Sequence, residues 1–399
     1  MSWRLEIDAA VDRSFDRLVA VRRRMHMQPE PSGAEQKTSL FLYQLLGDEG
    51  FSVRLGPEGC GVIADLPSSE THDTCIALRA DIDALYIHDA KPAEYRSQCD
   101  GVMHACGHDA HTAIVLGATL AVRDVAAAGS LPRATPLRAL FQPAEETGNG
   151  AKAMIEVGAI DRVTAILATH VDPSRKVGHV GLRTGVLTAN CDEMRIVVRG
   201  RGGHAARPHE SSDPIAAAAQ FVNALYLFVP RSTDSQDAVV VTIGEMRGGD
   251  NANVIPEEVT LRGTIRTLDA RVRGQTFEHI KRLAEGIGQM TLTRIDVEYG
   301  WATDSVINDA GLVALLRRGA REVVGDAGVE EIARPSMGSE DFAAYLQHTP
   351  GAMIRLGCVS DRAGGPMLHS PLFDVDEEVI RHGAKILAHA AVYWSEALS

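Results

Sequence analysis

Disulfide pairing, membrane anchoring and polyanion binding all lack their usual marks in this chain. Only six of 399 residues are cysteine, at positions 60, 75, 99, 106, 191 and 358, with no Cys-x-x-Cys pair among them. A disulfide framework is therefore not expected, and a reducing cytoplasm is the default compartment. No run of about 18 consecutive apolar residues occurs, so no membrane span is expected. The N-terminal stretch MSWRLEIDAAVDRSFDRLVAVRRRMH alternates acids and bases with apolar residues at helical spacing. It carries neither the apolar core nor the small-residue cleavage site of a signal peptide, and none is expected. Acidic residues outnumber basic ones 53 to 40, leaving a formal net charge of −13 and a pI near 5.6. That balance argues against nucleic acid or an anionic membrane as a partner. An anionic small substrate would need a local basic pocket. Internal repeats and low-complexity stretches are absent too.

The length suits two domains, and the 45% hydrophobic and 23% charged content is that of an ordinary globular protein. The first half alternates helices with short apolar strands, the pattern of a mostly parallel sheet covered by helices. Strands are expected at 61–66, 75–82, 137–142 and 165–171, and helices at 5–24, 37–49, 109–127 and 149–157. From 186 to 295 the order changes. Strands at 194–200, 238–246, 258–267 and 293–299 and helices at 213–229 and 270–287 read β-α-β-β-α-β, the ferredoxin-like order. The helix–strand pattern then resumes with 310–324, 352–357 and 376–397. The expected fold is α/β: a catalytic domain over 1–185 and 296–399, with an inserted ferredoxin-like lid or dimerisation domain over 186–295.

Metal-ligating residue types recur just after the strands of the first domain. HACGHD at 104–109 supplies Cys106 and His108, FQPAEE supplies Glu145 and Glu146, ATHV supplies His170 and LHSP supplies His369. In open α/β sheets ligands collect at the carboxyl ends of strands. Taken alone, Cys106 reads as a buried apolar-type residue and His108 as a helix-capping group. With Glu146, His170 and His369 in matching positions, the five read as metal ligands. They are enough for two divalent ions, since a catalytic site of this kind takes about three protein ligands and keeps a position open. A thiolate can bridge two ions, and the imidazole and carboxylate set suits Zn, Mn, Co or Ni without choosing among them. Adjacent residues leaving a strand point in different directions. One of Glu145 and Glu146 can therefore bind metal while its neighbour serves as general base. Asp83, grouped with the catalytic residues, and Asp81 read as carboxylates orienting a ligand histidine, against plain strand-end capping. Asp109 is expected to cap the helix after His108, and His104 and His111 to be supporting or surface residues. GRGGHAARPH at 200–209 is rejected as a dinucleotide loop, because no acid stands about 20 residues on; its glycines present His204. Asn253, in the turn GGDNANVIP, and Arg266, ending RGTIRT, are candidates to hold a substrate carboxylate.

Together HACGHDAHT, QPAEE, ATHV, GRGGHAARPH, NVIPEE, GTIRT, GSEDFA and LHSPLFDVDEE resemble the metallo-amidohydrolase family of hippurate hydrolases, N-acyl-amino-acid amidohydrolases and auxin-conjugate hydrolases. The resemblance runs from about residue 20 to the C-terminus. It implies a binuclear centre on Cys106, His108, Glu146, His170 and His369, with Cys106 bridging and Glu145 as general base. It also implies that His204 helps stabilise the oxyanion, often from a neighbouring subunit, that Asn253 contacts the substrate carboxylate, and that the lid often dimerises. Departures from the family pattern lie at Tyr86, His88 and Asp89, at Pro31-Ser32-Gly33 after the His26, Pro29, Glu30 signature, and at Asp172. The expected activity is metal-dependent hydrolysis of a C–N bond, most simply the amide of an N-acyl or N-aroyl amino acid, in a homodimer or higher homo-oligomer. The alternatives are hydrolytic deamination of an unusual amine at the same site, and a non-catalytic binding protein on this fold.

Overall fold

A computed structural model describes residues 2–67, 72–360 and 365–398. The chain divides into two compact units, one of Met1–Leu187, Val306–Arg334 and Asp341–Ser399, the other of Thr188–Ser305 with Pro335–Glu340.

The first unit is built on an eight-stranded sheet. Its centre, in spatial order Leu137–Gln142, Cys75–Asp81, Val163–Lys176 and Gly351–Val359, is parallel. Val62–Asp65 and Ser52–Leu55 extend one edge with antiparallel pairing. On the other edge Val180–Leu182 runs antiparallel to Gly351–Val359 and carries Val329–Glu331 parallel to itself. The central strands are apolar almost throughout because both faces are covered, and their alternate residues enter opposite layers. Of Cys75–Asp81, Ile76, Leu78 and Ala80 join a core with the helices Trp3–Met27, His108–Ala127 and Glu378–Ala397. Cys75 and Ala77 join a second core with Met154 of the helix Gly150–Glu156 and Tyr345 of the short helix Ala343–Leu346. The helix His108–Ala127 is long and apolar enough to cross a membrane by length and composition, but most of it is buried inside this unit. At Gly117 a Cβ would meet Leu18 Cδ1 at 2.6 Å and the Ala384 Cβ at 3.0 Å. The missing side chain lets the three helices close on one another.

Parallel pairing fixes where the chemistry collects. Asp81 is level with Gln142, the last residue before the Pro143–Glu146 turn. Arg79 is level with Ala168, two residues short of His170. The strand expected at 165–171 runs from Val163 to Lys176, so His170 lies within it rather than at its end.

The second unit is a four-stranded antiparallel sheet, in spatial order Val239–Arg247, Glu258–Thr267, Asn190–Arg199 and Arg294–Thr303. The helices Pro214–Ser232 and Ala270–Thr291 pack on one face, through Phe221 and Leu225 and through Ile280 and Ile287. Each helix starts where an aspartate satisfies its first amides: Asp213 accepts from Ile215 and Ala216, and Asp269 from Arg271 and Val272. The connectivity is β-α-β-β-α-β. A boundary at 295 would cut the last strand, which is bonded to Asn190–Arg199 from Arg294 to Thr303; the unit accordingly continues to Ser305 and takes in Pro335–Glu340.

Candidate metal centre

Helix His108–Ala127 begins at Gly107, whose φ of +83° suits glycine alone. A Cβ there would also lie 2.5 Å from Val171 Cγ2. This tight turn sends Cys106 and His108 into the space beyond the strand ends. Asp109 does not cap the helix as expected. It is buried, with Oδ2 accepting from Arg22 Nε at 2.8 Å and lying 2.7 Å from His26 Nδ1.

Four of the five expected ligands meet in two overlapping groups. Cys106, Glu146 and His369 form one, and His108, Glu145 and Glu146 the other, with the ligand atoms of each group within 4.8 Å of one another. His170 joins through Cys106, its Nε2 lying 3.6 Å from the Sγ. Cys106 thus touches both sides of the cluster, where a bridging thiolate belongs. His108 Nε2 and His369 Nε2 stand 3.8 and 3.5 Å from Glu146 Oε1. That is too far for a hydrogen bond, and it suits donors facing a shared cation, whose bonds to N and O are each about 2.0–2.2 Å. His108 Nε2 and Glu146 Oε1 are buried with no hydrogen-bond partner among the described residues, a cost that a bound ion removes.

The support around these atoms sets which ring nitrogen faces inward. His108 Nδ1 lies 2.9 Å from the Asp83 carbonyl oxygen and 3.0 Å from its Oδ1, which leaves Nε2 for an ion. His170 Nδ1 sits 2.7 Å from the carbonyl of Val171 and does the same. Asp83 Oδ2 accepts the Glu146 N–H at 3.0 Å, so one buried carboxylate fixes two proposed ligands. His111 is not a ligand. Its Nδ1 donates to Asp81 Oδ1 at 2.7 Å, and its Nε2 accepts the Val171 N–H at 2.9 Å. Asp81 is in turn held by Arg79 at 2.6 Å. Burial, reinforced by Glu146, pushes the Cys106 thiol up to about 12, so it becomes a thiolate near neutral pH only when a cation takes the proton's place. His369 adopts φ +64°, a strained conformation of the kind that collects at functional sites; its N–H is tied to the Ala105 carbonyl at 2.8 Å.

In the second unit His204 pairs with Val254, and the Ala205 N–H donates to the Asn253 carbonyl, so the expected oxyanion donor His204 and the expected substrate residue Asn253 are neighbours. Both are exposed. The Ala206 N–H donates to His204 Nδ1 at 3.0 Å, which in the neutral ring puts the proton on Nε2 and makes that nitrogen a donor. Arg266 does not join them. Asn253 precedes the strand Glu258–Thr267, and Arg266 is near that strand's end, roughly 26 Å from Glu258 at about 3.3 Å per residue. Arg266 donates to the Met337 carbonyl at 3.0 Å and forms no ion pair among the described residues.

The geometry has close counterparts. A model of Peptidase family M20/M25/M40 matches residues 77–393. A probable hydrolase of Synechocystis sp. is 38% identical over 98% of this chain and 99% of its own length. The N-acetyl-L-cysteine deacetylase of Bacillus subtilis is 37% identical over 94% of this chain and 87% of its own. Among solved structures, a Bacillus subtilis protein described as a dinuclear metal-binding peptidase of the M20 family superposes with a TM-score of 0.81 at 32% identity, covering 97% of this chain and 100% of that one. A family match over most of the chain, full-length relatives and two buried ligand atoms, His108 Nε2 and Glu146 Oε1, without a hydrogen-bond partner among the described residues agree: the chain belongs to Peptidase family M20/M25/M40 and is a metal-dependent amidohydrolase.

Proposed function

We propose that this protein hydrolyses the amide bond of N-acyl or N-aroyl amino acids at a binuclear centre held by Cys106, His108, Glu146, His170 and His369, with Glu145 as general base. The observation that carries this reading is the convergence of the buried, unpartnered His108 Nε2 and Glu146 Oε1 with Glu145. The likeness to a deacetylase of N-acetyl-L-cysteine supports the substrate class. Divalent ions in this cluster would supply Lewis acidity, polarising the scissile carbonyl and making water acidic near neutral pH. Glu145 takes a proton from the attacking water as the C–O bond forms. It then delivers that proton to the leaving amine as the C–N bond breaks. Asp83 is a positioning residue, since its contacts run to His108 and to the Glu146 backbone. His204, with its Nε2–H, is the donor for the developing oxyanion.

Asn253 and His204 stand together at the two-stranded pairing of Gly203–His204 with Val254–Ile255, and Arg266 stands in the four-stranded sheet; we assign them to different copies, Arg266 to the substrate's own chain and Asn253 and His204 to a second one. The test of the whole reading is a screen of N-acyl amino acids and aryl amines on chelated and on metal-supplemented protein, with free amino acid and ammonia both measured. Amino acid release that disappears with chelation and returns with Zn, Mn, Co or Ni is expected. Ammonia without amino acid would move the reaction to deamination, and full activity of metal-free protein would end the metal reading.

Arg266 makes a separate prediction. In a protein of charge −13 an anionic substrate needs a dedicated cation, and a guanidinium without an ion-pair partner is suited to a carboxylate. Arg266→Ala should raise KM for an N-acyl amino acid by roughly 10- to 100-fold, the 1.5–3 kcal/mol of a charge-assisted bond. The corresponding N-acyl amino amide should be affected much less. Equal losses on acid and amide with a lowered melting temperature would reduce Arg266 to a support for the Met337 segment.

A further inference from the structure

The segment Pro31–Glu35 takes no part in the proposed chemistry, yet its contacts run to both loops that carry the active carboxylates. Pro31 forms an isolated bridge with Ala84, and Ser32 Oγ donates to Asp83 Oδ2 at 2.7 Å. Glu35 Oε1 accepts the Gly33 N–H at 2.9 Å and, 109 positions along the chain, the Ala144 N–H at 2.8 Å. Glu35 is fully buried, and its Oε2 has no hydrogen-bond partner among the described residues.

Helix capping does not account for this buried acid. Glu35 sits at the N-cap of Gln36–Asp48 without a side-chain cap bond. Glu30 does that work, accepting from the Thr38 N–H at 2.7 Å and the Lys37 N–H at 3.3 Å. Burying a carboxylate with one oxygen unbonded is costly, so the acceptor it offers to Ala144 has to matter to the fold or to the reaction. Ala144 has φ +52°, a left-handed conformation disfavoured for any residue with a Cβ. The residue after it is Glu145, whose direction is set by that turn. Strain of this kind persists only where the surroundings enforce it, and Glu35 is the buried side chain bonded to the strained peptide.

We infer that Glu35 is a positioning residue for the reaction: its buried carboxylate holds Ala144 in the left-handed turn and thereby aims Glu145 at the attacking water. The inference rests on the reading of Glu145 as general base.

The experiment compares Glu35→Ala, Glu35→Gln, Glu35→Ala/Ala144→Gly and Glu145→Gln, all loaded with metal, by kcat, KM, bound metal and melting temperature. Glu35→Ala should lose about 100-fold in kcat, the scale of a 1 Å misplacement, with KM and metal content near wild type. Glu35→Gln keeps an acceptor oxygen and should stay within about tenfold of wild type, the neutral bond being roughly half as strong. Glycine takes positive φ without steric cost, so Ala144→Gly in the alanine background should recover about tenfold or more of the lost kcat. If the alanine variant folds poorly, Glu35→Leu fills the volume without an acceptor and carries the same expectation. A kcat for Glu35→Ala within about threefold of wild type, well short of the misplacement scale, would overturn the inference. So would a loss that Ala144→Gly does not reverse. Wild-type kcat in Glu145→Gln would be a different failure, that of the base assignment itself.

Discussion

Glu145→Gln is expected to lower kcat on an N-acyl amino acid by about 100-fold or more, the span of general-base catalysis, while bound metal stays at the wild-type level. Glu146→Gln should instead lose metal. The difference follows from the groups that each carboxylate joins. Glu146 Oε1 is the buried atom on which His108 Nε2 and His369 Nε2 converge, at 3.8 and 3.5 Å, and the Glu146 peptide is pinned by Asp83 at 3.0 Å. Replacing that oxygen by an amide removes a charge from between two imidazoles, and His369, held up in its affinity for a proton by Glu146, loses its counter-charge with it. Glu145 follows the strained turn at Ala144; its carboxylate lies in a group with His108 and Glu146 but not in the group of Cys106, Glu146 and His369. Its amide keeps the shape and removes the proton acceptor. Metal content by elemental analysis, measured beside kcat, separates the two. Equal metal loss in both variants would show that the roles within the pair are wrongly divided.

The residues that sequence made legible are those whose chemistry is unusual at their position. Of the five proposed ligands, His170 lies within the parallel strand Val163–Lys176, Cys106 and His108 stand at the start of the helix His108–Ala127, Glu146 in the turn after Leu137–Gln142, and His369 in a turn near the C-terminal helix. The elements with strong periodicity were legible as well: the strand Leu137–Gln142 and the helix Ala310–Val324 lie where the apolar pattern puts them. Less was visible where a residue acts through the backbone of a distant one. Ser32 and Glu35 reach Asp83 and Ala144 over 51 and 109 positions, and neither contact leaves a spacing signal. Asp109 looked like a helix cap because it follows His108 at a helix start. It is instead drawn inward by Arg22 and His26, both buried, which offer it stronger charge-assisted bonds than two helix amides would. The edge strands Ser52–Leu55, Val180–Leu182 and Val329–Glu331 escaped notice because they are short, three or four residues each, and length is most of what distinguishes a strand from a loop in sequence. Asn253 and Arg266, expected at one carboxylate, belong to different parts of the second unit: Asn253 adjoins the pairing of Val254–Ile255 with Gly203–His204, and Arg266 lies in the four-stranded sheet, a placement set by hydrogen bonding that no motif records.

That separation makes the last prediction the most discriminating. His204→Ala should lower kcat by about 100-fold, as loss of one oxyanion donor does, and Glu145→Gln by a similar or larger factor; each homogeneous protein is then nearly inactive. If His204 serves the site of a second copy, a hybrid dimer of the two variants contains one site with Glu145 from one chain and His204 from the other, both intact, and one site lacking both. Random exchange at equal concentration makes about half of all dimers hybrids under two-fold symmetry, so the mixture should recover about a quarter of wild-type activity per site. The recovery should rise with the time allowed for subunit exchange and vanish when the chains are cross-linked as homodimers before mixing. His204 is exposed, and its Nδ1 accepts the Ala206 N–H, which makes Nε2 of the neutral ring the donor that a second chain can use. Mixtures that exchange subunits, as followed by labelled chains, and yet stay inactive would return His204 to its own subunit or remove it from catalysis, and with it the assignment of Asn253 to the second copy.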